Sequence, residues 1–485
     1  MKKLRKLLCI ALCLVISLSL VSCGDKANKG DDEVPTLVWY DRTATTRDSQ
    51  LVEDAINEYI EPLIGCRVKR ISIVGAEYNE KLRLVLASNE PADIIFTGGS
   101  SYATYVNNGS FMEIDDLLDE YGKEIKAITP EYAIEVARMN GKLYGLTHYK
   151  DYAVEHVVYY NKDLTDKHNI DMSKVKTFAD MGEVLEIIKQ KEPDQYPLSM
   201  ERTVSGFDLL PYDKISGAPL GAIDLKGDPN KIVNQYTTPE AFEYYKLVHS
   251  WYNKGYMRKD IATVTSNSDI SGRVFASIQQ ELPYLIDQRN KTNPYTYGLV
   301  HLVEPKMGTS NVRAQLFAIG ANCKYPEKAM AFINLLNTDK HLRNLASYGI
   351  EGKHWIAVGE NFYRLPDGCE KKADTGFETY VAPQGNKYLS RMIEGTPEDI
   401  YEKYKEFDEK AIKSPALGFA FDPEKVQLEV TAVNNVYNEY MPALILGSVD
   451  PEVAFPKAVK KFKEAGVDKI IAEIQRQYDE WRKNK

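Results

Sequence analysis

The sequence predicts an α/β fold divided into two lobes. Short apolar strands alternate with helical patterns from Thr36 to Phe96, which calls for a parallel sheet covered by helices. Of the 485 residues, those beyond residue 22 still far exceed the roughly 250–300 at which one hydrophobic core stops growing.

In chain order, Thr36-Leu37-Val38-Trp39-Tyr40 reads as the first strand. Leu51, Val52, Ala55, Ile56, Tyr59 and Ile60 follow with the one-and-four spacing of a helical face. A second strand runs over Val68 to Val74, and a second helix begins near Tyr78 and carries Leu82, Val85 and Leu86. A third strand covers Asp93 to Phe96, after the break at Asn89-Glu90-Pro91. In such sheets a ligand lies beyond the carboxyl ends of the strands, at the point where the strand order reverses. The first strand ends in Tyr40-Asp41-Arg42 and the third in Thr97-Gly98-Gly99-Ser100-Ser101, so both open on one cleft edge. Asp41 and Arg42 offer opposite charges there, Gly99 allows close backbone approach, and Ser100 supplies a hydroxyl. The alternative for Gly98 to Ser101 is an ordinary turn, since glycine and serine punctuate loops for conformational reasons alone.

Before the first strand, Lys2, Lys3, Arg5 and Lys6 precede an apolar run from Leu7 to Leu20, too short for a permanent span of about 20 residues. This is the pattern of a secretory signal. Leu20-Val21-Ser22-Cys23 resembles the bacterial lipobox, which implies acylation of Cys23 and a mature chain tethered to a membrane without crossing it. Residues 23–33 contain almost nothing apolar and are expected to form a flexible tether. Loss of residues 1–22 would remove four positive charges from a formal net charge of −9, a balance with no nucleic-acid footprint. Cys66, Cys323 and Cys369 then remain at unrelated spacings, which is no disulfide framework. One bridge among them is an alternative, but three buried thiols are expected.

Met139-Asn140-Gly141-Lys142 carries the strongest short hairpin signal. From this point a family resemblance is definite. Asn140-Gly141-Lys142-Leu143-Tyr144-Gly145-Leu146 followed by Val158 to Leu164 resembles the hairpin and first crossover of the family 1 extracellular solute-binding proteins, with Thr147 where that family usually has proline. Tyr297-Gly298-Leu299-Val300 to Pro305 resembles the second crossover, and Phe317 to Asn337 the returning strand and helix. Leu335 to Asp339, Tyr348 to Trp355 and Gly418 to Trp481 are similar to LipO-like lipoproteins with a C-terminal extension. The resemblance implies a periplasmic-binding-protein-like fold, with 34–150 and 303–345 as one lobe and 151–302 and 346–485 as the other. The crossovers near His148 to Ala153 and Val300 to Lys306 are expected to act as hinges. It further implies a monomeric receptor outside the cytoplasm that hands a soluble ligand, usually a carbohydrate, to the permease subunits of an ABC importer. A receptor for peptides or other solutes is an alternative, as is a ligand-sensing partner of a membrane histidine kinase.

A sugar presents hydroxyls at its rim and C–H groups on its face, so its site needs planar polar groups beside aromatic rings. Among 32 tyrosines and four tryptophans, Trp39, Tyr78, Tyr102, Tyr149 and Trp355 fall where cleft loops are expected, although most aromatic residues must be structural. Trp355 stands in a glycine-containing loop with Glu351, Lys353 and His354. Trp481 ends an apolar helical stripe and is explained by packing, and the lysines from Lys457 to Lys463 by a solvated helix face. No two of the seven histidines have the spacing of three or four that pairs metal ligands on a helix, and neither a nucleophile elbow nor a phosphate loop is present. No metal, cofactor or enzymatic activity is expected. A glycosidase, needing only two carboxylates brought together by folding, is the least favoured reading.

Overall fold

The computed structural model describes residues 34–88, 90–264, 266–380 and 384–483, with backbone alone at Ser100. The signal, tether and Cys23 lipidation expectations fall outside the described residues. The first elements follow the expected alternation. They are β1 (Thr36–Asp41), α1 (Ser49–Ile64), β2 (Arg67–Ser72), α2 (Gly75–Ser88), β3 (Ile94–Thr97) and α3 (Gly99–Asn107). Helix α1 buries Val52, Ile56 and Ile60, one residue per turn, and ends on Gly65 at φ 61°, the left-handed conformation that stops a helix. The expected hairpin is present: Asn140 and Gly141 both have positive φ, 51° and 80°, between the paired residues Met139 and Lys142.

Further on come α4 (Glu131–Ala137), β4 (Leu146–Thr147), β5 (Glu155–Asn161), β6 (Tyr196–Ser199), β7 (Val274–Glu281), α5 (Leu285–Thr292), β8 (Tyr297–His301), β9 (Lys306–Met307) and β10 (Leu316–Ile319). The chain then forms α6 (Pro326–Thr338), α7 (Lys340–Tyr348), α8 (Ile400–Lys410), β11 (Ile412–Lys413), α9 (Gln427–Ile445), α10 (Pro451–Glu464) and α11 (Val467–Lys483).

Two sheets organise two cores. The first has the order β2-β1-β3-β10-β4, parallel from β2 to β3 and antiparallel beyond. With β1 between β2 and β3, the strand order reverses beside β1, and its carboxyl end is the position the switch-point rule marks. The second sheet has the order β8-β5-β7-β6. One core gathers Leu37, Ile56, Ile95, Phe317 and Phe332, and the other Val158, Tyr245, Phe275, Val433 and Ile474. These are the two α/β lobes. The C-terminal helices are structural members of the second lobe: the Tyr244 hydroxyl donates to the Ile445 carbonyl, and the Ile232 amide to Gln475. Trp481 packs on Phe419 and Tyr478, while Lys457, Lys460, Lys461 and Lys463 are exposed.

Three chain segments join the cores, one more than the sequence suggests. Val154 and Lys306 exchange backbone hydrogen bonds of 2.9 Å in both directions. Strand β9 in turn pairs in parallel with β11, Lys306 opposite Ile412. Beside this ribbon Arg313 is fully buried, donating to the carbonyls of Val136, Arg138 at 2.8 Å and Gly418 at 3.1 Å. The first two lie at the carboxyl end of α4, where the helix dipole favours a cation.

Candidate functional site

The residues proposed from sequence separate into a buried group and a partly open one. Asp41 is 0% exposed. Arg70 on β2 reaches it with Nε at 2.9 Å, and the side-chain amide of Gln384 donates to it at 2.9 and 3.1 Å. The same guanidinium lies 4.5 Å above the ring of Trp39, which is enclosed in the first core against Phe332. Tyr78 is buried and donates to the Phe96 carbonyl at 2.7 Å and the Tyr40 carbonyl at 3.2 Å, tying together the ends of β3 and β1. Tyr102 is buried on α3 and donates to the Ala137 carbonyl at 2.6 Å. Burial raises both phenols.

The glycines at the end of β3 have a conformational explanation. A Cβ at Gly98 would stand 2.1 Å from the Ala314 carbonyl oxygen, so no larger residue fits. Gly99 has φ 58° and its amide donates to the Arg313 carbonyl at 2.8 Å. Ser100 is the second residue of α3. Trp355 belongs to a small cluster with Tyr348 and Tyr363. Its indole nitrogen donates to the Gly349 carbonyl at 2.8 Å, and Arg391 covers the ring. It borders a groove of about 850 Å³ on the outer face of the first lobe, between α1, α7 and the loop 349–355. Its neighbour His354 is held by Asp48, 3.1 Å away. Trp355 is therefore not brought together with Asp41.

Arg42 and Tyr149 remain accessible. Arg42 is exposed at the end of β1, beside Gly75. At the same strand end Tyr380 is 60% exposed, its amide 3.4 Å from the Thr43 hydroxyl. Tyr149, on the first crossover, meets Tyr388 edge-on at 4.7 Å, Tyr388 meets Tyr401 at 5.4 Å, and Tyr401 faces Tyr404 of α8. All four residues are partly exposed, with the Tyr388 hydroxyl itself buried. Lys387 lies 3.8 Å over the Tyr404 ring and is paired with Asp151. Burial raises the Tyr404 phenol, and the carboxylates of Asp151 and Glu281 add to the rise. Glu281 ends β7 of the second lobe, where it accepts from the Tyr159 hydroxyl. Arg289 stacks 4.5 Å over the Tyr159 ring. Beside the crossovers the structure thus gathers several partly exposed rings, with the paired Lys387 and Asp151 at their edge.

Tyr380, Tyr388 and Tyr404 were not singled out by sequence reasoning. The only signal for the last is the spacing of Tyr401, Tyr404 and Phe407, which also describes an ordinary helix. Tyr284, between β7 and α5, has φ 72°, unusual for a bulky residue. Its hydroxyl donates to the Gly395 carbonyl at 2.8 Å, as does Lys291. Cys66, Cys323 and Cys369 are free thiols, and Cys369 is partly exposed rather than buried. Among the described residues no helix is long and apolar enough to cross a membrane.

A family model described as bacterial extracellular solute-binding protein matches residues 55–350. A domain of unknown function (DUF3502) matches 415–483, the C-terminal helices that complete the second core. A carbohydrate ABC transporter substrate-binding protein of Streptococcus pneumoniae is 30% identical, with 97% of each chain covered. Lipoprotein LipO of Bacillus subtilis is 21% identical, covering 86% of this chain and 88% of its own. Among solved structures, an N-glycan transport solute-binding protein of Streptococcus pneumoniae is 27% identical, superposes with a TM-score of 0.83, and covers 93% of this chain and 99% of that one. The same protein in complex with Man1GlcNAc gives 0.74 at 93% and 100% coverage. On these grounds the chain belongs to the bacterial extracellular solute-binding protein family.

Proposed function

We propose that the protein is the lipid-anchored receptor of an ABC importer and captures an oligosaccharide between its two lobes for delivery to the permease subunits. The observation that carries this reading is the partly exposed tyrosine array Tyr149, Tyr388, Tyr401 and Tyr404, edged by Lys387 and Asp151, beside the crossovers between the lobes. Aromatic faces beside planar polar groups match the two surfaces of a sugar ring. The ligand wall is accordingly centred on Tyr149 and the array, with Arg42 and Tyr380 further along the first lobe. Asp41, Trp39, Tyr78 and Tyr102 act behind it as supports.

In this reading one lobe comprises residues 34–147, 316–348 and the ledge 349–393, whose residues Gln384 and Asn386 bond to Asp41 and Asn337. The other comprises 155–300 and 416–483. The lobes rotate about the three crossovers. A ligand touching both lobes binds the closed form better and shifts the population toward it. The lower TM-score to the sugar-bound neighbour than to the same neighbour without a named sugar, at equal identity, supports such a movement. Catalysis forms no part of this reading. Anchoring rests on the lipobox resemblance at Cys23.

Isothermal titration with a mannose–N-acetylglucosamine disaccharide and longer neutral glycans tests the proposal. Saturable binding that Tyr404→Ala and Tyr388→Ala each weaken about tenfold, ~1.4 kcal/mol, is expected. Binding of a peptide in place of any glycan would overturn the substrate class, and unchanged affinity in both variants would overturn the site.

A further inference from the structure

The segment joining the lobes contains a carboxylate whose surroundings are poorly suited to its charge. Asp408 on α8 is 7% exposed. Its Oδ1 accepts from the Ala153 amide at 2.7 Å and the Tyr152 amide at 2.9 Å, and its Oδ2 from Tyr152 at 3.0 Å. This one side chain therefore ties the third crossover to the first, beside the Val154, Lys306 and Ile412 ribbon. Among the described residues no cation pairs with it.

The groups around it explain that isolation. On the first crossover, Lys150 directs its ammonium to the Asp151 carbonyl at 2.7 Å, and the Asp151 carboxylate is paired with Lys387 of the ledge. Tyr149 and Tyr152 face Asp408 from the same crossover, Tyr132 from α4 and Tyr388 from the ledge, while Glu409 follows on its own helix. Lys413 of β11 is taken up by the Tyr132 ring at 4.7 Å. The Asp151 carboxylate, four phenols and the Lys150 ammonium, which is bonded elsewhere, thus lie around a group held mainly by two amides, and a buried charge without a directly paired counter-ion is costly.

We infer that Asp408 makes the joint between the lobes proton-sensitive, so that the joint holds together more tightly with this carboxyl protonated than with it ionised. Burial pushes the carboxyl up to about 6, against the downward pull of the two amide hydrogen bonds and, more weakly, of the Lys150 ammonium, and with a further upward push from Asp151. An opened joint would return it toward the ordinary carboxylate value of about 3.9. The packed joint then binds the proton more strongly than the opened one. Acidification favours packing, and as pH rises from about 4 through about 6 that advantage is lost. The receptor is stiffer in mildly acidic surroundings and moves more freely at neutral pH. This rests on the reading of the three segments as a hinge. Because the test uses no ligand, its failure is distinguishable from failure of the receptor proposal.

Hydrogen exchange of the full chain, read by mass spectrometry on a peptide spanning residues 149–155 and corrected for the intrinsic pH dependence of exchange, tests the inference. Protection of the Tyr152 and Ala153 amides is expected to be about tenfold greater at pH 5 than at pH 7.5, while Asp408→Asn removes the difference. Equal protection at the two pH values, greater protection at pH 7.5, or a pH difference that persists in Asp408→Asn would overturn it. Where that variant does not fold, the wild-type profile decides. A step centred at about 6 with protection on the acid side supports the inference, and its absence overturns it. His148, on the same crossover, packs against Phe96 and Phe317 of the first core.

Discussion

The guanidinium of Arg70 embraces the carboxylate of Asp41 at the end of the first strand, with Nε 2.9 Å from Oδ2, while its flat face rests on Trp39. Gln384, more than three hundred residues further along the chain, closes the group by donating to Asp41 and accepting from Arg70 at 2.9 Å. Asp41 thus fixes β1, β2 and the ledge to one another. Asp41→Ala leaves the Arg70 charge buried without its partner and is expected to cost about 3–5 kcal/mol. Urea unfolding measures this. A loss below ~1 kcal/mol together with weakened glycan binding would instead assign Asp41 to the ligand.

Gly98 is required by the Ala314 backbone. Gly98→Ala is expected to destabilise the fold by about 1–3 kcal/mol through overpacking, with glycan affinity of the folded fraction unchanged. Thermal unfolding and titration on the same sample check both parts.

The switch-point rule marks the carboxyl end of β1 without identifying what lies over it. The strand and helix alternation from Thr36 to Phe96 was legible because burial on these elements is periodic, and the Asn140-Gly141 turn because its positive φ angles restrict the residues allowed. The partners of Asp41 were not legible. Arg70 resembles any strand-edge arginine, and Gln384 is brought in by tertiary folding across a separation that no local pattern records. The third crossover was hidden for a related reason: α8 reads as a polar surface helix, and Asp408 within it resembles its exposed neighbours Glu406 and Glu409. Of the aromatic residues singled out in the sequence, Tyr149 is partly exposed, whereas Trp39, Tyr78 and Tyr102 illustrate that tyrosine and tryptophan fill cores as readily as clefts.

The thiols offer a test of core integrity. Burial pushes Cys66 up to about 11 and Cys323 up to about 12, so neither supplies thiolate at pH 8. In a soluble form beginning at Asp25, iodoacetamide is expected to modify Cys369 alone in the native state and all three cysteines after denaturation. Rapid native labelling of Cys66 or Cys323 would show that the first lobe opens locally.

His301, at the end of β8, is hydrogen-bonded to the buried Glu155 at 2.7 Å, which raises the imidazole above its ordinary value. Stability from this pair is fully present below about 6.5 and is lost as pH rises through the raised value. The difference in urea midpoint between wild type and His301→Gln is therefore expected to be larger at pH 5 than at pH 8. An equal difference at both would mean that the pair contributes nothing through charge.

Closure of the two lobes on a bound glycan is most directly tested by small-angle X-ray scattering of the soluble form with and without a saturating oligosaccharide. A smaller radius of gyration and a shorter maximum dimension with the glycan are expected, since rotation about the three crossovers brings Arg42 and Tyr380 toward the second lobe. Superimposable profiles at a concentration where titration shows full occupancy would contradict capture by hinge closure.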